Sequence, residues 1–106
     1  MEVVVDVYRL TRTLPNEERF GLVSQMQRAA VSVPSNIAEG HGRKFTKAYI
    51  NHLSIANGSL MELETQLIIG RSLGYVAEPQ CDFLLQRTNE VGRMLNGLIA
   101  SLNPES

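Results

Sequence analysis

Apolar residues recur at spacings of three and four through four successive segments, at about 1–14, 17–40, 47–73 and 79–102, and each predicts an amphipathic helix. In the first, Val3, Val7, Leu10 and Leu14 share one edge while Val4, Tyr8 and Thr11 share the next. Pro15 and Asn16 stop it; Asn16 is placed to cap the following helix, whose positive end suits Glu17 and Glu18. The second helix carries a core stripe of Leu22, Val23, Met26, Ala29, Ala30, Val33 and Ile37. Gly40 and Gly42 offer the backbone freedom of a helix end, and Thr46 offers the next N-cap. The third helix is seamed by Tyr49, Leu53, Ala56, Leu60, Leu63 and Leu67 and is closed by Gly74. Pro79 helps begin the fourth, where Leu84, Thr88, Val91, Leu95, Leu98 and Leu102 repeat the seam.

Short connections make consecutive helices antiparallel, so the expected fold is an all-α, up-down-up-down four-helix bundle forming a single domain over residues 1–106. The helices are unequal. At about 1.5 Å per residue the first spans roughly 21 Å and the second and third roughly 36 to 40 Å. Ile37, Ile50, Leu53, Leu98 and Leu102 fall beyond the reach of the short helix, which implies either cover from another subunit or a natural start upstream of Met1.

The second helix carries more than a core stripe. Pro34 lies in its interior, where it deletes a donor and clashes with the carbonyl of Ala30. Because the stripe stays in phase from Val33 to Ile37, the residues predict a continuous kinked helix rather than a break with a new cap at Ser35. Gln25, Arg28, Ser32, Ser35, Asn36, Glu39 and Arg43 line another side. A solvated face is the plain alternative, but serine and asparagine sacrifice helix propensity there and suit close helix contact. Asn57, Glu62 and Glu64 on the third helix are the expected partners of Arg28 and Glu39 in a polar network, within or between subunits. Mid-helix Gly58, beside Ser54 and Thr65, points to a closely approaching backbone. A third, half-apolar side, the outer row, holds Phe20, Ser24, Gln27, Val31, Pro34 and Ala38; Phe20, Val31, Pro34 and Ala38, with Tyr8 of the first helix, are the expected oligomer interface.

Composition narrows the function. The chain is 43% hydrophobic and 20% charged, with a net charge of −1, which argues against a general polyanion binder. Arg43, Lys44 and Lys47 nevertheless cluster at the corner between the second and third helices; they complement a helix end or, repeated around an oligomer, bind RNA or DNA phosphates. Cys81 is the single cysteine and cannot form an internal disulfide, consistent with a reducing compartment. Acidic Glu2 and Asp6 do not fit a signal peptide, and no apolar run reaches membrane-spanning length, so a cytoplasmic location is expected. Glu39, His41 and His52 are the one group to test for acid–base chemistry, yet their spacing is no ligand signature and no phosphate cradle is present. Neither enzymatic activity nor a cofactor or metal is expected.

The residues Pro15, Glu18, Phe20, Leu22, Gln25, Arg28, Ala29, Ser32, Asn36, Ile37, Ala38, Glu39, Gly40 and Arg43, with LSIANGSLMELETQL from Leu53, resemble the bacterial four-helix-bundle proteins encoded in intervening sequences of large-subunit ribosomal RNA genes. The resemblance implies a left-handed bundle assembling as a homopentamer. It also implies a distant similarity to accessory proteins of diversity-generating retroelements, which pair with a reverse transcriptase and bind nucleic acid. This chain is slightly acidic where those proteins are strongly basic. The expected function is therefore a non-catalytic oligomeric scaffold or adaptor, with nucleic-acid binding through Arg43, Lys44 and Lys47 as the alternative.

Overall fold

The computed structural model describes residues 1–103 and is all-helical: α1 (Glu2–Thr11), a short 3-10 turn (Asn16–Glu18), α2 (Leu22–His41), α3 (Thr46–Ser72) and α4 (Glu78–Leu102). No strand occurs among the described residues. The molecule is a rod of 45 × 23 × 18 Å. Around it α1 packs on α2 and α4, while α3 packs on both α2 and α4.

Three boundaries depart from expectation. The first helix ends at Thr11, three residues early, although Thr13 and Leu14 continue as turns with amide bonds to the carbonyls of Leu10 and Thr11. The second does not begin at residue 17: Asn16–Glu18 forms a separate 3-10 turn, Asn16 makes no side-chain cap, and α2 starts only after Gly21. Here Glu18 acts across the break, its Oε1 accepting from the Leu22 amide at 3.3 Å. Phe20 is consequently outside α2 and 88% exposed, with the Arg19 guanidinium over its ring. Thr46 is the first residue of α3 rather than its cap.

Pro34 lies inside an uninterrupted α2, so the helix does not break and recap at Ser35. Gly40 is within the helix as well, and its role is contact. A Cβ there would lie 2.8 Å from His52 Cβ and 2.9 Å from a Tyr49 ring carbon, so only glycine lets α3 approach α2 so closely. Gly74 does end α3: at φ +80 it turns the chain while the amides of Tyr75 and Val76 bond to the Gly70 carbonyl.

The interior divides along the rod. Where all four helices overlap, Val7, Leu10, Met26, Ala30, Leu63, Leu67, Cys81 and Leu84 form one buried cluster. Beyond α1, Val33, Leu53, Ala56, Leu60 and Leu95 form a second, bordered by Ile37, Tyr49, Val91, Leu98, Ile99 and Leu102. These border residues are only half-buried, because three helices surround them instead of four.

Candidate functional site

A chain of hydrogen bonds runs along the α2–α3 contact at the three-helix end. Arg43 Nε donates to His52 Nε2 at 3.3 Å. Since arginine only donates, His52 Nε2 is the acceptor and its Nδ1 carries the proton, which goes to Asn36 Oδ1 at 3.1 Å. The amide of Asn36 then donates to the Ser32 carbonyl at 2.9 Å and to Ser32 Oγ at 3.0 Å, and Ser59 Oγ donates to Ser32 Oγ at 2.8 Å. Glu39 forms an ion pair with Arg43 at 3.9 Å, one turn along, and its carboxylate lies 3.9 Å from His52 Nδ1. Serine and asparagine at these positions are explained by helix proximity: short side chains bridge a gap that longer ones would prop open.

Ser32, Asn36 and Glu39 thus enter a network within the subunit, while the other expected members do not. Gln25, Arg28 and Ser35 are exposed, and Arg28 has no side-chain partner among the described residues. Glu62 instead accepts from Gln66 on its own helix, and Glu64 accepts from buried Thr88 on α4 at 2.7 Å. Asn57 contributes a buried Oδ1 without a hydrogen-bond partner. Sequence reasoning missed Ser59 as a member and considered His52 only for catalysis; the bridge from His52 to Asn36 shows its structural position.

At the neighbouring corner Arg43, Lys44 and Lys47 are all exposed, but only partly available. Arg43 is tied to His52 and Glu39, while Lys44 lies over the Phe45 ring at 5.8 Å. His41 meets the Tyr49 ring edge-on at 5.9 Å rather than joining His52 and Glu39. No cluster of three metal-ligating side chains occurs among the described residues. Cys81 is fully buried, its thiol directed to the Leu67 carbonyl, and burial pushes its pKa up, which disfavours a reactive thiolate.

The outer surface keeps a different feature. Tyr8, Val31 and Ala38 are exposed and Pro34 is half-buried, so these members of the expected interface remain open on the subunit. Nearby, Val4, Val33, Ile37, Val91 and Met94 line an apolar depression of about 130 Å³ at the end of α1. No described helix is long and apolar enough to cross a membrane.

The family model of the 23S rRNA-intervening sequence protein matches residues 1–97. The chain belongs to that family. Among solved structures it is similar to a protein of unknown function from the S23 ribosomal protein family of Bacteroides thetaiotaomicron VPI-5482, at 26% identity, with 92% of each chain covered and a TM-score of 0.86. No curated protein matches. Membership in the 23S rRNA-intervening sequence family agrees with the helical architecture and carries no assigned reaction.

Proposed function

We propose that this protein is a non-catalytic, oligomeric helical-bundle scaffold or adaptor that works in the cytoplasm. The supporting observation is the surface left open by one subunit: Tyr8 and Val31 are exposed on one side, and the second core has a half-buried apolar border. Covering such surface in water is favourable by about 25 cal/mol per Å². Self-association supplies the cover without a second gene product, and the resemblance to pentameric bundle proteins suggests five copies. Light scattering of the wild type and Val31→Glu tests this reading. An oligomer that the substitution weakens supports it; a wild-type monomer overturns it.

A second reading rests on the exposed corner of Arg43, Lys44 and Lys47. Five copies would place about fifteen basic side chains in a ring, enough for phosphate binding with steep salt dependence. Glu39 beside Arg43 reduces that field. Fluorescence anisotropy with labelled RNA and DNA at two salt concentrations separates the readings: the scaffold predicts no binding at low salt, whereas the binder predicts affinity lost when Arg43, Lys44 and Lys47 are neutralised.

A further inference from the structure

Helix α3 is free of charge on two opposite sides. Its inner side supplies Leu53, Ala56, Leu60, Leu63 and Leu67 to the two cores. Its outer side runs through Ser54, Gly58, Met61, Thr65 and Ile68 at helical spacings and contains no charged residue; Met61 and Ile68 are 50% and 41% exposed. Gly58 is the informative member. Glycine in a helix interior costs about 1 kcal/mol, commonly retained where another backbone comes close. Within the subunit a Cβ at Gly58 would meet nothing within 4 Å. Packing within the subunit therefore supplies no reason for glycine at this position.

We infer that this outer side of α3 is the docking surface for the outer row of α2 from a second copy, joined head to tail. This rests on the self-association proposed above and specifies its interface. The two faces differ, so each copy offers one and receives the other, as a heterologous contact that closes into a ring requires. In a ring of rods standing parallel to the symmetry axis, rotation leaves height unchanged, so residues level with one another within a subunit also meet across the interface.

The register is therefore fixed by contacts inside one chain. Gly40 lies against His52 and Tyr49, Ser59 bonds to Ser32, and the Leu22 side chain reaches Gly70. Counting along the antiparallel helices between these contacts sets Pro34 within about a residue of the level of Gly58, and likewise Val31 of Met61, Ser24 of Ile68 and Ala38 of Ser54. Gln27 falls level with Thr65. Every member of the outer row of α2 meets a member of the α3 stripe. The bulky proline ring faces the one position without a side chain, apolar Val31 faces apolar Met61, and small Ser24 faces large Ile68, while Gln27 keeps its amide on Thr11 Oγ1 of its own subunit at 3.1 Å. A second copy fits this stripe on shape, polarity and lack of charge together.

The test uses the full chain in a Cys81→Ala background, with Val31→Cys in one preparation and Met61→Cys in another carrying a size tag. Mixing and mild oxidation should give a disulfide between the two species, with neither preparation cross-linking to itself. Gly58→Leu, measured alongside, should weaken association about thirtyfold or more without lowering the melting temperature of the released subunit. Self-cross-linking of either single variant would show a two-fold contact and overturn the head-to-tail docking. An oligomer without the mixed disulfide, or one indifferent to Gly58→Leu, overturns this docking while leaving self-association standing. A monomeric wild type removes both.

Discussion

The two ends of the rod solve the same packing problem differently. Around Met26 and Leu67, four helices converge and apolar burial is complete: both residues have 0% exposure. Around Leu53 and Leu98, three helices converge, the core is fringed by half-buried side chains, and the α2–α3 contact is fastened by Gly40 and the Arg43–His52–Asn36–Ser32–Ser59 chain. Where apolar enclosure is incomplete, hydrogen bonds and close backbone contact fix the geometry. They also leave an edge that another molecule can cover.

The largest contrast should come from truncating leucines. Leu67→Ala is expected to cost about 2–5 kcal/mol in urea unfolding, because its cavity cannot collapse within four helices. Leu98→Ala should cost about 1 kcal/mol, in keeping with its partial burial. Equal losses would show that the three-helix end is as enclosed as the other.

Glycines sharpen the contrast next. Gly40→Ala should destabilise by about 1–3 kcal/mol, since its Cβ would press on His52 and Tyr49, whereas Gly58→Ala should not lower subunit stability. Thermal melts of both variants decide the matter. Asn36→Ala should then cost about 1–2 kcal/mol and show non-additivity with Ser32→Ala, as members of one network do. Simple additivity would mean that the two residues act separately.

The smallest effect concerns alkali. Burial raises the pKa of Cys81, and desolvation followed by the charge of Glu18 raises that of Tyr75. Both groups hold their protons longer when folded. Their stabilisation is thus complete below the unfolded values, near 9.0 for the thiol and 10.0 for the phenol, and declines as pH rises through the folded ones. Melting temperature should fall above about pH 9, and Cys81→Ala should shallow that fall.

Periodicity made the helices legible, since the seams of α3 and α4 follow strict helical spacing and Gly74 and Pro79 mark their junction. The break before α2 was hidden because Leu22 and the preceding residues continue a helical pattern; Gly21 with Glu18 interrupts it through a local amide–carboxylate bond. The site was half legible. The unusual composition of Ser32 and Asn36 signalled close contact, but their partners depend on the register between α2 and α3, which periodicity leaves open. Glu64 shows the consequence: it was expected toward α2, yet it lies on the side of α3 that meets α4. Gly40 likewise has the composition of a helix end and the function of a contact point.

In the proposed assembly, copies of this chain cover one another's open faces. Sedimentation velocity over a hundredfold range of protein concentration tests it most directly. The proposed assembly should sediment as one discrete species at a whole-number multiple of the subunit mass, retained on dilution or separating reversibly. A single species at the subunit mass throughout that range would contradict it.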